Sequence, residues 1–357
     1  MRVLHFLWGL QKGGAENLAV DLANQQSLDH EVILLVGNDC VDPAVRGQLD
    51  RSVRFVHLGR PAGSRNPYWI IRLLLTIHRL RPEVIHSHTR DLALLGRFIF
   101  RPMIVTVHSI NMDLARSLSR YTRVCCISEA VLADVRRRYP ALNLRQVDNG
   151  IVVSKIATTA NRAHQIVLRA VQVSRLVHEI KGQDLLVRAL AAVNAKHLSP
   201  AMTIDFIGDG QSLGYLSQLA EELGVREHCN FLGALNRENV YAHLCDYDLL
   251  VQPSRYEGFG LTVAEGMAAG IPVLVSDIEG PMEIIRHGEY GYYFESNNVA
   301  SLANALGTVI EDIRSGVAKQ RSIAARRCVE ENYGLQRTSA QYCAIYSEVV
   351  ASFQGSR

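Results

Sequence analysis

The sequence predicts an α/β protein built from two doubly wound, parallel-sheet halves facing each other across a cleft. Three observations lead there. Short apolar runs alternate with longer segments of helical periodicity, the pattern of repeated β-α units and of parallel sheets covered on both faces. The length, 357 residues, suits two domains at roughly 100–200 residues each. The alternation pauses once, at 149–165 (NGIVVSKIATTANRAHQ), before IVLRAVQV opens a new β-α series. The expected domains are 1–157 and 158–340. A last helix, about 340–357, is a candidate to pack back onto the first.

In order, residues 2–7 (RVLHFL) read as a strand, followed by a tight turn at Gly13-Gly14 and a helix over 15–26. Residues 31–36 (EVILLV) form the second strand. Further strands are expected at 53–57, 83–87, 103–107, 124–127, 166–173, 202–207, 248–252 and 271–276. Helices are expected at 68–80, 90–98, 129–139, 183–196, 212–223, 237–245, 262–269, 299–315 and 318–331. Each strand is a short β-branched or Leu-rich run, and each helix carries apolar residues at 3–4 spacing.

Composition narrows the function. Hydrophobic residues at 48% and charged residues at 20% exclude disorder, collagen and coiled coil. Aromatics at 7% argue against a surface built for stacking bases, and no nucleic-acid partner is expected. The seven cysteines are odd in number and scattered without a C-x-x-C pair, which suits reduced thiols better than disulfides or zinc. Cys125-Cys126 reads as core. The N-terminal apolar run is short, carries His5 and lacks a small-residue cleavage site, so no signal peptide is expected. No stretch reaches the roughly 20 apolar residues of a spanning helix. A cytoplasmic protein, soluble or resting on a membrane surface, is expected.

Net charge is only +3, but it is unevenly spread. Residues 1–160 hold 21 Lys and Arg against 13 Asp and Glu, net +8; residues 161–357 hold 17 against 22, net −5. The first half is thereby suited to an anionic partner. Arg97-Phe98-Ile99-Phe100-Arg101 interleaves charge with bulky apolar groups, as the headgroup layer of an anionic bilayer would favour. Arg136-Arg137-Arg138-Tyr139 is a second basic cluster, equally compatible with a solvated helix face.

The most informative stretch is 251–276, VQPSRYEGFGLTVAEGMAAGIPVLVS. A strand ends near Gln252, a loop carries Glu257, Gly258 and Gly260, and a helix begins near Thr262. Glycine lets backbone approach a ligand closely, and the unused N–H groups of residues 260–262 favour an anion. Glu257 and Glu265 bracket that turn and suit sugar hydroxyls. In VSRLVHEIKGQDLL (173–186), Arg175 and Lys181 lie where a strand ends and a helix begins, so they suit a diphosphate. Gly13-Gly14 and Gly208-Asp209-Gly210 are further turns, and neither completes a dinucleotide fingerprint. His86, His88 and His108 fall at strand ends on the ligand side. Without a third ligand, His86 and His88 are read as hydrogen-bonding residues and His108 as a site residue. Asp246-Tyr247-Asp248 matches D-x-D but reads as a helix end, and no metal is expected.

Taken together, GGAE (13–16), IHSH (85–88), VTVH (105–108), CISEAV (126–131), VSRL and KGQDLL (173–186), DFIGDG (205–210), NFLG (230–233) and EGFGLTVAE (257–265) resemble the family-4 retaining glycosyltransferases of the GT-B fold. The likeness spans nearly the whole chain, in the right order, and the last piece is the family's E-x7-E element. The resemblance implies that Glu257 contacts the donor sugar and Glu265 the ribose. It implies that Arg175 and Lys181 hold the diphosphate with the backbone of Phe259, Gly260, Leu261 and Thr262. Gly13 and Gly14 would approach the donor, His108 would lie beside the transferred sugar, and Phe231 and Leu232 would read the base. One departure is the interdomain turn, Asp148-Asn149-Gly150-Ile151-Val152, which lacks the family's proline and following acid.

The implied reaction moves a hexose from a nucleotide diphosphate sugar, UDP-hexose before GDP-mannose, with retention and without metal or other cofactor. The implied acceptor is a surface polysaccharide, such as lipopolysaccharide or capsule, or a lipid-linked oligosaccharide. The competing readings are a nucleotide-sugar epimerase of the same fold and a non-catalytic nucleotide-sugar-binding subunit.

Overall fold

The computed structural model describes residues 1–111, 116–158, 167–195 and 201–355. The chain divides into two compact units, Met1–Gly150 with Leu335–Arg357, and Ile151–Gly334. The expected borders at 157/158 and about 340 lie a few residues beyond these divisions. Part of the expected linker, 159–166, is outside the described residues.

The first unit is a seven-stranded parallel sheet in the order β3-β2-β1-β4-β5-β6-β7. Its strands are β1 (Arg2–Leu7), β2 (Glu31–Asn38), β3 (Arg54–Arg60), β4 (Val84–Ser87), β5 (Met103–Val107), β6 (Arg123–Cys126) and β7 (Leu144–Gln146). The inner strands are almost continuously apolar and buried, as a sheet covered on both faces requires. The direction of winding reverses between β1 and β4, so their carboxyl ends mark the unit's switch point. Helix Glu129–Arg138 starts at Ser128, whose Oγ accepts from the Val131 N–H at 3.2 Å. Its basic last turn suits the negative helix end, and Arg137 and Arg138 both pair with Asp134. This second basic cluster is a helix end.

The last helix, Leu335–Gly355, belongs to the first unit. It lies against helix Gly14–Gln26 and buries Tyr342 and Tyr346 completely. The expected helix 90–98 is a run of 3₁₀ turns instead. Only Leu92 and Ala93 of it are buried, too narrow an apolar stripe to hold an α-helix.

The second unit is a six-stranded parallel sheet, β10-β9-β8-β11-β12-β13. The strands are β8 (Leu168–Val173), β9 (Met202–Ile207), β10 (Cys229–Gly233), β11 (Leu249–Gln252), β12 (Val273–Ser276) and β13 (Tyr292–Phe294). Counted within the unit this is the order 3-2-1-4-5-6 of dinucleotide-binding folds, with its switch point between β8 and β11. Its core packs helices Gln183–Asn194 and Val299–Ser315 against one sheet face through Leu186, Leu190, Ile204, Phe206, Leu306 and Val309. Three strands escape the sequence reading: β7, β10 and β13. All are edge strands of three to five residues. At that length an apolar period cannot be counted, and each holds at least one exposed residue.

Candidate active site

In the second unit the loops that follow β8 and β11 meet at the switch point. Ligands bind outside the carboxyl ends of such strands, and these connections carry Arg175, Lys181 and Glu257, with Lys181 closing the short helix His178–Lys181 rather than lying in a loop. They are tied together by backbone and side chain. The N–H of Arg255 donates to the Ile180 carbonyl at 2.8 Å. The Gln172 amide donates to the Lys181 carbonyl at 2.9 Å. Gly182 has φ +68°, and a Cβ there would stand 1.9 Å from the Pro253 carbonyl oxygen. Only glycine permits that approach.

The Arg255 side chain is the main brace. Its guanidinium forms a bidentate pair with Asp184 at 2.7 and 2.8 Å and donates to the His178 carbonyl at 2.5 Å. Sequence reading missed this pair, because nothing in the spacing of residues 184 and 255 links them.

Lys181 Nζ donates to Glu257 Oε2 at 2.5 Å, and the two side chains keep 17% and 20% of their exposure. Arg175 is exposed, and its guanidinium has no hydrogen bond or ion pair among the described residues. Of the two cations expected to face a diphosphate, one is solvated and the other is held by the neighbouring carboxylate.

Helix Leu261–Ala269 begins at Gly260, which has φ +110°, a conformation costly for a side chain with a Cβ. The helix's first N–H groups have no intrahelical acceptor. Leu261 and Thr262 are half-buried. Phe259 is only 2% exposed, and its ring packs edge-on against Tyr333 at 5.5 Å. Only its backbone is available to a ligand.

Glu265 is buried and accepts from the Tyr241 hydroxyl at 2.7 Å. Tyr241 in turn accepts from Arg237 Nε at 2.8 Å, with that guanidinium over its ring. Tyr241 and Arg237 were not legible as site residues. At the sheet edge Phe231 stacks on Phe206 with 5.1 Å between centroids, so one face of its ring is spent on the core. Leu232 is exposed.

The D-x-D match is absorbed by local structure. Asp246 Oδ2 pairs with His243 Nδ1 at 2.9 Å, and Asp248 Oδ2 accepts from the Arg169 N–H at 2.8 Å.

In the first unit, Gly13 is the N-cap of helix Gly14–Gln26 in extended geometry. Gly14 is exposed. His108 follows β5, and burial holds its pKa down to about 4. Its Nε2 is enclosed without a partner among the described residues.

His5 joins His86 and His88 to form a buried group that sequence reading did not see. His5 Nε2 donates to Gln26 Oε1 at 2.9 Å, so its Nδ1 accepts from His88 Nε2 at 3.0 Å. His86 bonds Tyr346 and Thr106, each at 2.7 Å. Burial lowers the pKa of His5 to about 4 and holds His86 and His88 well below the usual range. The three residues have ring nitrogens within 4.8 Å of one another. The His5 and His88 planes lie 16° apart with centroids at 5.3 Å, an end-to-end arrangement that fits their hydrogen bond, and those of His86 and His88 lie 28° apart at 4.2 Å. The group is a hydrogen-bonded cluster of imidazoles whose burial favours the neutral form.

Residues 12–155 match the family model described as Glycosyltransferase Family 4, and residues 165–327 match that of the Glycosyl transferases group 1. A glycogen synthase of Mycobacterium tuberculosis is 27% identical over 311 residues, 80% of this chain and 73% of that protein. A GDP-mannose-dependent α-(1-6)-phosphatidylinositol monomannoside mannosyltransferase of Mycolicibacterium smegmatis is 30% identical over 181 residues, 49% of this chain and 46% of that one. Among solved structures, Anabaena HepE in complex with UDP and glucose superposes with a TM-score of 0.83 at 21% identity, covering 98% of this chain and 100% of that one. A glycosyltransferase of Rickettsia africae gives 0.82 at 18% identity, with 98% of both chains covered. By its two matched models and its paired parallel-sheet domains of GT-B type, the chain belongs to the group 1, family-4 glycosyltransferases.

Proposed function

We propose that the protein is a retaining hexosyltransferase. It moves a hexose from a nucleoside diphosphate, UDP-hexose in preference to GDP-mannose, to a hydroxyl of a surface polysaccharide or lipid-linked oligosaccharide. The observation that carries this reading is the convergence of Lys181, Glu257 and the loop bearing Arg175 at the switch point of the second unit. Support for the donor comes from the fold shared with a protein crystallised with UDP and glucose. The mannosyltransferase relative, GDP-mannose-dependent by name, keeps the other donor as the alternative.

Cleaving the bond from C1 to the diphosphate leaves positive charge on the sugar ring and negative charge on the departing phosphate. Arg175, Lys181 and the start of helix Leu261–Ala269 supply pre-placed counter-charge to that phosphate, so the reaction needs no metal to carry it. Removing one such donor typically costs ~10²–10³ in rate. Glu257 accepts from sugar hydroxyls and Glu265, oriented by Tyr241, from the ribose. The acceptor hydroxyl attacks the face the phosphate leaves, and the phosphate takes its proton. His108 belongs to this proposal as the residue beside the transferred sugar, Gly13 and Gly14 as close backbone, and Phe231 and Leu232 as neighbours of the base.

The proposed place of work is the cytoplasmic face of an anionic membrane. Among the described residues no helix is long and apolar enough to cross one. The first unit instead exposes Phe98 and Phe100 between Arg97 and Arg101, and Tyr68, Ile71 and Leu75 on helix Tyr68–Leu80.

A thermal-shift screen with UDP- and GDP-sugars tests the donor. Saturation at 100 times Kd stabilises by about 2.7 kcal/mol, so the true donor raises Tm most. Lys181→Ala is expected to lower turnover at least about tenfold with the fold intact. Unchanged kinetics in that variant would remove the diphosphate assignment.

A further inference from the structure

Lys181 and Glu257 come from separate connections, 76 residues apart in sequence, and meet at 2.5 Å. The contact is largely shielded, with both side chains at one-fifth exposure or less. The backbones beneath them are clamped. Gly182 abuts the Pro253 carbonyl, and the Arg255 N–H is bonded to the Ile180 carbonyl. Neither connection can drift away, yet both charged groups sit on flexible stems. Lysine is a compact charge on a four-carbon chain, able to swing between acceptors without backbone movement.

A phosphate must therefore compete with Glu257 for Lys181. With a complete donor, both halves of the broken pair are repaid: Lys181 gains the phosphate and Glu257 gains sugar hydroxyls. With the sugar gone, a nucleoside diphosphate repays only the lysine. Glu257 is left beside a dianionic group, unpaired in a partly desolvated place, which is costly.

We infer that Glu257 acts as an exchange counter-ion, recapturing Lys181 after transfer and so weakening the hold on the nucleoside diphosphate product. The inference rests on the diphosphate reading of Lys181 and adds a role in product release to that of contacting the sugar. It makes the site discriminate donor from spent product by the occupancy of one carboxylate.

The test is calorimetric titration of the full-length protein with UDP and GDP, using whichever binds, together with product-inhibition kinetics. Glu257→Gln keeps the shape and removes the charge. It is expected to bind the nucleoside diphosphate at least about fivefold more tightly than wild type, the scale of an ion pair of about 1 kcal/mol, while losing transfer. Glu257→Asp, one methylene shorter, is expected to shift the same way. The gain is expected to vanish when Lys181→Ala is present in the same chain. Equal or weaker binding by a folded Glu257→Gln protein overturns the inference. So does a gain that persists without Lys181, because it would come from the general field of the carboxylate. If Lys181→Ala alone binds the nucleoside diphosphate as wild type does, the diphosphate reading itself fails, separately from the exchange.

Discussion

Acidification to pH 5 is expected to weaken the first unit before its carboxylates titrate. His5 is fully buried and neutral, its pKa lowered by burial to about 4 against 6.5 in an unfolded chain. Between those values the unfolded state binds the proton and the folded state does not, so stability falls as pH drops below 6.5 and stops falling near 4. At pH 5 this one imidazole costs about 2 kcal/mol. His86 and His88 are held down by burial and then by neighbouring imidazoles, and they act in the same direction. For a unit of this size, 2 kcal/mol corresponds to a fall in Tm of about 4–8 °C. Calorimetric or near-ultraviolet dichroism melts at pH 7.5, 6 and 5 measure it, and imidazole proton resonances tell which residues stay unprotonated. A Tm unchanged between pH 7.5 and 5, or His5 titrating near 6.5 in the folded protein, would refute the reasoning.

Tyr241→Phe removes the hydroxyl that donates to the buried Glu265. Nucleotide affinity is expected to fall about tenfold, the low end of the roughly 1.5–3 kcal/mol of a hydrogen bond to a charged group; calorimetry showing wild-type affinity would separate Glu265 from the ribose. Replacing Phe98 and Phe100, 52% and 70% exposed, with serine is expected to reduce sedimentation with anionic vesicles. Raising salt from 0.1 to 0.5 M should do the same to wild type, as screening shortens the reach of the charge. Equal binding to neutral vesicles would dismiss the electrostatic part of that surface.

The alternation of strands and helices was legible in the residues alone, because each inner strand of a parallel sheet is buried on both faces and is therefore largely apolar. So was the turn from Glu257 to Glu265, since a strand end, two glycines and a helix start are local events that need no partner. Edge strands β7, β10 and β13 were not legible, because three to five residues are too few to show a period. The tertiary structure alone decided which distant residues meet. The strand order 3-2-1-4 brings the loop after β8 beside the loop after β11, and only there does Lys181 find Glu257 and Arg255 find Asp184. The same reversal sets His5 of β1 against His86 and His88 at the end of β4, and the last helix adds Tyr346 to that network. Such pairs are fixed by sheet topology and by the need to satisfy buried polar groups, and both act between residues too far apart in sequence for spacing to reveal.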